Sequence, residues 1–270
     1  MQADLNPVRL RDVYDAELRA WMPERLPPGA TLEQDGPVWR LSGVDERGFV
    51  TYISVSSLDP VELDALIARQ RDVYASQGQA VEWKLHGHDQ PADLADRLRA
   101  AGFEPEEQET VLIGLAEPLA DADPLLPAGV RLREVTERAD LDRIAAMESE
   151  VWNTDRSHLA SALEEELAAD PMSTSVVVAE TASGEVVCAG WIRYIRGTAF
   201  GTLWGGSTLP AWRGRGIYKA VVGYRAHLAT RRGHNLLQVD ASDDSRPILQ
   251  RSGFVAVTTT TPYVFTPPPA

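Results

Sequence analysis

The chain is poor in cysteine, in lysine and in long apolar runs, and each shortage excludes a class of protein. Cys188 is the single cysteine of 270 residues, so no internal disulfide and no thiolate metal cluster can form. It sits in the apolar run Val186-Val187-Cys188-Ala189-Gly190-Trp191, which reads as a buried small hydrophobe rather than a catalytic thiolate. Lysine and arginine together number 26 against 40 acids, a net charge of -14. Such a chain repels nucleic acid and anionic lipid, and no basic patch offsets the repulsion. No run reaches the ~20 apolar residues of a bilayer span, and Met1-Gln2-Ala3-Asp4 opens no export signal, so a cytoplasmic protein without membrane partners is expected. There is no Gly-x-x-x-x-Gly-Lys-Ser/Thr and no early strand-turn-helix of a dinucleotide fold, which removes kinases and nucleotidases. His86 and His88 flank a loop beside Asp89 without a third ligand, so no metal is expected.

The acidity is unevenly placed. Residues 1–127 carry 24 acids against 11 bases, whereas residues 128–270 carry 16 against 15. Patterning divides the chain at the same point. In the first half a helix is predicted over 12–22, strands over 37–43, 49–56 and 81–86, a helix capped by Asp59 with Pro60 in its first turn, a helix over 91–101, and a strand ending near Leu115. Residues 117–129 hold three prolines and no hydrophobic period, as a linker would. The second half begins with the alternating strand Val130 to Val135. A helix from Thr136 to about Val151, a helix from Ser157 to about Ala169 and a three-strand meander ending at Thr208 follow. A helix from Gly216 to Arg232, a short strand from Leu236, a short helix from Ser245 and terminal strands from Gly253 and Tyr263 complete the chain. The two halves rhyme: a strand, a capped helix and a Gly-Phe re-entry occur at 81–103 and again at 236–254, which points to a degenerate duplication.

The chemistry is concentrated in Trp204-Gly205-Gly206-Ser207-Thr208-Leu209-Pro210-Ala211-Trp212-Arg213-Gly214-Arg215-Gly216-Ile217-Tyr218-Lys219. A strand ends, Gly214 and Gly216 allow a tight turn, and a helix starts at once, so the amides from Arg213 to Lys219 can converge on one anion. The helix N-terminus favours phosphate, and Arg213, Arg215 and Lys219 add cations in a chain that holds only two lysines. A pyrophosphate is the expected ligand.

This segment resembles the acetyl-coenzyme A signature of the GCN5-related N-acetyltransferase (GNAT) superfamily, Arg/Gln-x-x-Gly-x-Gly/Ala, here Arg213-Gly214-Arg215-Gly216-Ile217-Tyr218, with Tyr218 where a small residue is usual. The resemblance covers residues 130–265 in element order. It implies an α/β fold with a mixed α+β sheet and two acyl-CoA N-acyltransferase-like domains in tandem: a degenerate one over 1–120 and an acetyl-CoA-binding one over 128–270. In the family the strand before the loop pairs with the pantetheine arm. That role falls on Ser207, Thr208 and Leu209, with Arg213, Gly214, Arg215, Gly216, Ile217, Tyr218 and Lys219 around the phosphates. In the first half, Ser56-Ser57-Leu58-Asp59-Pro60 stands at the equivalent turn with an acid and no glycine, so that half should not bind coenzyme A. It would brace the active half or supply one wall of an acceptor cleft.

Acyl transfer from a thioester requires a neutral amine held at the acyl carbon, a polarised carbonyl and a base. The candidate bases are Asp240, placed first because it ends the strand after the loop helix, then Glu148 and Glu150. The family's usual tyrosine acid is replaced by Leu249. The expected activity is direct acetyl transfer from acetyl-CoA to a small-molecule or peptide amine, such as a polyamine, an aminoglycoside or a cationic peptide terminus. A non-catalytic acyl-CoA sensor or scaffold is the alternative.

Overall fold

The computed structural model describes residues 6–19, 21–22, 26, 29–43, 47–121 and 126–268. The expected stop at Pro23, the turn at Asp45-Glu46, the middle of the linker at 122–125 and the end of the tail lie outside these residues.

The chain opens with α1 (Pro7–Tyr14), capped by Asn6, whose side chain accepts from the amides of Val8 and Arg9, with Pro7 in the first turn. The winding loosens to a π-helical turn over Asp15–Arg19, so the helix predicted over 12–22 begins earlier than its apolar period suggests. Strands β1 (Thr31–Asp35), β2 (Val38–Ser42) and β3 (Arg47–Tyr52) follow; β1 has a mostly exposed pattern that gave no sequence signal. Next come α2 (Pro60–Ser76), β4 (Ala80–His86), α3 (Leu94–Ala100), the two-residue β5 (Glu104–Pro105) and β6 (Glu109–Leu115). The stretch expected to be a bare linker starts with a helical turn, α4 (Ala116–Ala120), because Ala116 and Leu119 are buried and the Ala116 amide donates to the Asn235 carbonyl at 2.9 Å.

The remaining elements are β7 (Val130–Val135), α5 (Arg138–Trp152), α6 (His158–Ala169), β8 (Thr174–Thr181), β9 (Val186–Tyr194), β10 (Phe200–Thr208), α7 (Ile217–Arg231), β11 (Leu236–Ala241), α8 (Arg246–Arg251) and β12 (Val255–Phe265). Glu137, rather than Thr136, occupies the N-cap of α5. The two terminal strands expected from Gly253 and Tyr263 are one, β12, since Pro262 stays in the ladder and accepts from the Glu106 amide at 2.8 Å.

Two compact units result, and neither is contiguous in sequence. One holds Asn6–Val111, Asp240–Asp243 and Ala256–Ala270; the other holds Leu112–Val239 and Asp244–Val255. Residues 112–120 fall with the second unit, and residues 240–243 and 256–268 fall with the first. The physical reason is hydrogen bonding: β12 pairs antiparallel with β4, from Thr260 opposite His86 to Phe265 opposite Val81, and also with β5.

In the first unit the strand order is β1-β2-β3-β4-β12. Its core packs Val38, Val50, Leu63, Leu66, Ile67, Tyr74, Trp83, Leu98, Phe103 and Tyr263. In the second the order is β7-β8-β9-β10-β11, antiparallel except for the parallel pair β10–β11. Each unit thus contains an antiparallel hairpin, a crossover helix and a parallel strand, β2-β3-α2-β4 and β9-β10-α7-β11. In each unit the parallel strand is followed by a short helix and a Gly-Phe step, α3 then Gly102-Phe103 and α8 then Gly253-Phe254, the order read from the sequence. β8 is buried on both faces from Thr174 to Glu180, which fits the consecutive apolar centre Val176-Val177-Val178-Ala179.

Candidate active site

The site is built around the end of β10. The β10–β11 pairing covers only Phe200–Thr202 against Leu236–Gln238, so the backbone of β10 from Leu203 onward leaves its parallel neighbour. On the other side β10 stays paired with β9 through Thr208 opposite Cys188, with an extra residue between Gly205 and Ser207. That bulge is possible because Gly205 and Gly206 take φ of 66° and 92°, backbone that side chains resist. A Cβ at Gly206 would also lie 2.9 Å from Cε2 of Tyr218, so the Tyr218 ring stands against the bulge.

Past Thr208 the strand enters a 3₁₀ turn at Pro210–Trp212, then the loop, then α7. Gly216, the N-cap of α7, has φ 81° and offers no side chain to the first turn. The first intrahelical bond runs from the Ala220 amide to the Gly216 carbonyl. The amides of Ile217, Tyr218 and Lys219 precede it and have no partner within the helix. Arg213, Gly214, Arg215 and Lys219 are exposed. Arg213 Nε donates to the Thr208 carbonyl at 3.0 Å, tying the loop to the strand, and the Arg215 guanidinium lies 5.0 Å from the Trp212 ring centre. Ile217 is buried and anchors the helix start.

The corresponding terminus in the first unit is closed from within. Asp59 accepts from the amides of Val61 and Glu62 at 2.8 and 2.9 Å, and Glu62 accepts from the Asp59 amide at 3.0 Å, a complete capping box. The chain's own carboxylate thus takes the amides that an anion would need. The end of β3 is closed as well: buried Arg19 donates to the Tyr52 carbonyl at 3.3 Å and to Asp89 at 2.9 Å, and the Tyr52 hydroxyl donates to Asp89 at 2.7 Å. His86 belongs to this network, 3.0 Å from the Tyr14 hydroxyl, and burial pushes its pKa down to about 2, so it is neutral. Among the described residues no group of three or more His, Cys, Asp or Glu is arranged to hold a metal.

On α5, Glu148 is buried at 4% exposure. Its Oε2 accepts from Ser207 Oγ at 3.0 Å and from Trp152 Nε1 at 2.8 Å, and the same indole lies 3.0 Å from Ser207 Oγ. Oε1 is buried without a hydrogen-bond partner. Burial raises the Glu148 pKa, and the bonds from Ser207 and Trp152 oppose the rise.

No family model matches the chain, and no curated protein matches it. Solved structures do. A GCN5-related N-acetyltransferase from Kribbella flavida superposes with a TM-score of 0.68 at 18% identity, over 96% of this chain and 95% of that one. A tandem GNAT protein from the clavulanic acid biosynthesis pathway gives 0.63 at 15% identity, over 91% and 86%. A GCN5-related N-acetyltransferase from Sphaerobacter thermophilus gives 0.63 at 16%, over 100% and 95%. The chain has the GNAT fold.

Within the GNAT fold the residues expected to act are brought together only in part. Arg213 to Lys219 stand together at the uncapped start of α7. Ser207 and Glu148 are brought into contact across 59 residues of sequence. Glu150, two positions further along α5, is exposed. Asp240 belongs to the first unit, where its carboxylate is ion-paired with Lys84. Burial disfavours the Lys84 charge, yet the pairing with Asp240 outweighs it and holds the ammonium charged. The Leu209 amide donates to the Val187 carbonyl at 3.0 Å, on the β9 side. Successive strand amides alternate, which turns the Thr208 amide to the opposite edge. Leu249, at the position of the family's usual tyrosine, is buried in the core. Cys188 is buried, accepts from Thr208 Oγ1 at 3.2 Å, and its pKa is pushed up to about 11 by burial, so it holds no thiolate at neutral pH.

Two side chains beside β10 escaped the sequence reading. Trp152 was visible only as the residue four positions after Glu148, on the same helical face. Arg225 was visible as a charge at a core position of the stripe Ile217, Val221, Leu228.

Proposed function

We propose that this chain is a cytoplasmic N-acetyltransferase that moves the acetyl group of acetyl-CoA directly onto an amine, with Glu148 as the general base. The observation that carries the reading is that one strand segment holds both halves of the chemistry. Ser207 fixes a buried carboxylate with one free oxygen, and a few residues later the chain opens the uncapped, cationic start of α7. The GNAT fold supports the same assignment, and one of the similar structures is described as solved without AcCoA.

Under this reading the amides of Ile217 to Lys219, with Arg213, Arg215 and Lys219, hold the pyrophosphate. The unpaired edge of β10 at Thr208 takes the pantetheine arm. Coenzyme A supplies an already activated acyl carbon. Glu148 in its carboxylate form takes the proton that the amine loses as the new C–N bond forms, through Oε1, while Ser207 and Trp152 hold Oε2. Cys188, buried and protonated, plays no covalent part, so transfer occurs between two bound substrates. The acceptor is a small-molecule or peptide amine. The acidity of residues 1–127 favours a cationic one.

Calorimetric titration with acetyl-CoA tests the donor, with Gly216→Glu as control. The parent should bind, and the folded variant should not, because a carboxylate then occupies the anion site. Thiol release dependent on an added amine tests transfer. A second reading rests on Leu249: with no side-chain acid at its position, the protein would bind acyl-CoA as a sensor. Tight binding without amine-dependent thiol release across an amine panel would establish that reading instead.

A further inference from the structure

Arg225 is 1% exposed, and it is among the largest side chains in the protein that are fully buried. Buried guanidinium groups are ordinarily neutralised by a carboxylate. This one is held by carbonyls: Nε donates to Val221 O at 3.3 Å, and Nη1 donates to Trp191 O at 3.1 Å and to Trp204 O at 3.0 Å. Trp191 and Trp204 face each other across β9 and β10, immediately before the bulge between Gly205 and Ser207. The fit depends on Gly190, where a Cβ would lie 2.8 Å from Nη1. The titratable groups around the guanidinium are Tyr218 from α7 and Cys188 from β9, both uncharged at neutral pH. Burial lowers the Arg225 pKa, and carbonyl dipoles solvate the cation without adding a counter-charge, so the guanidinium sets a positive charge against the strand at Trp204 while the Glu148 carboxylate faces the same segment at Ser207.

In acyl transfer the C–S bond breaks with its electron pair going to sulfur, the acyl carbon bonds to the amine nitrogen, and the amine proton passes to the base. The sulfur leaves as an anion, and Leu249 offers it no proton. We propose that Arg225 is a positioning residue that stabilises the coenzyme A thiolate by holding the bulged strand at Trp204–Ser207 and projecting its unneutralised charge there. This rests on the proposed use of the strand by acyl-CoA. It explains why a costly buried cation stands at this point of α7.

The test is the titration of the thiol of bound coenzyme A, followed by the ultraviolet absorbance of the thiolate against protein saturated with desulfo-coenzyme A. A thiol ordinarily titrates near 8.5. In the parent the bound thiol should titrate at least about one pH unit below free coenzyme A, a tenfold preference for the anion. Arg225→Met should return it to the free value or above, whereas Arg225→Lys, which keeps the charge, should retain most of the shift. A parent whose bound thiol titrates at or above the free value overturns the proposal without any variant, so misfolding of Arg225→Met cannot rescue it. Equal thiol behaviour in the Met and Lys variants also overturns it. A folded parent that binds neither acetyl-CoA nor coenzyme A overturns the proposed function itself, a different result from binding with an unshifted thiol.

Discussion

Ser207 Oγ donates to Glu148 Oε2 at 3.0 Å, and this bond joins the bulged strand to α5 while the second carboxylate oxygen stays unpartnered. A buried acceptor without a donor costs stability, on the order of 1–3 kcal/mol. Its retention here, beside an uncapped helix terminus, is what singles out Glu148 from the other carboxylates of the unit.

Glu148→Gln should lower kcat/KM for amine acetylation by about 100-fold or more, with acetyl-CoA affinity little changed. In the parent the rate should rise with pH through an ionisation above the ordinary carboxylate range, and the variant should lose that limb. A variant that keeps the parent's rate and profile would remove Glu148 from the mechanism.

The same substitution should stabilise the fold at neutral pH. Burial raises the folded pKa of Glu148 above its unfolded value, so in the window between them the folded state holds the extra proton. Stability contributed by this group is then complete at low pH and falls as pH rises through that window. Thermal denaturation should show Glu148→Gln gaining on the parent as pH increases, and the gap should close in acid.

Glu109 makes a parallel case in the first unit. Burial, and then the charge of Asp240, push its pKa up to about 7, with Lys84 opposing. From the ordinary carboxylate value up to that pH the unfolded state loses its proton first, so the native state weakens as pH rises. Glu109→Gln should raise Tm by about 2 to 4 °C at pH 8 and by little at pH 4. Equal gains at both pH values would contradict the assignment.

Asp240→Asn separates a structural carboxylate from a base. It leaves the Lys84 ammonium without its ion-pair partner, and breaking such a half-buried pair costs about 1–3 kcal/mol. Denaturant unfolding should show a large loss, while Lys84→Met combined with Asp240→Asn should recover much of it. Amine-dependent turnover by the folded fraction of Asp240→Asn should persist; its abolition would return Asp240 to the role of base.

Asp59→Ala should destabilise the first unit by about 1 kcal/mol through loss of the capping box. It should create no second acetyl-CoA site, because Arg19 and Asp89 still close the end of β3. Calorimetry showing two equivalents bound would refute that closure.

Local signals made much of this legible in advance. The Gly214 and Gly216 turn, the α7 start and the strand before it follow from short-range backbone preferences, which sequence neighbours settle among themselves. Asp59 at its helix start was legible for the same reason. The repeat showed because each copy keeps its own order of strands and helix. The placement of Asp240 was not legible, since a residue at the end of β11 takes its surroundings from whichever strands pair nearby.

The sequence by itself determined that the chain carries a glycine turn opening directly into a helix in its second half and a self-capped, acidic counterpart in its first. Those properties belong to residues a few positions apart, whose geometry is fixed by φ preferences and capping bonds. Only the tertiary structure decided which carboxylate is available: it paired Asp240 with Lys84, left Glu150 in solvent, and buried Glu148 against Ser207 and Trp152 with one oxygen free. It also set a guanidinium behind the bulge, on carbonyls from two strands. Burial and hydrogen-bond partners across such distances are properties of packing, and packing is what converts similar side chains into different chemical species.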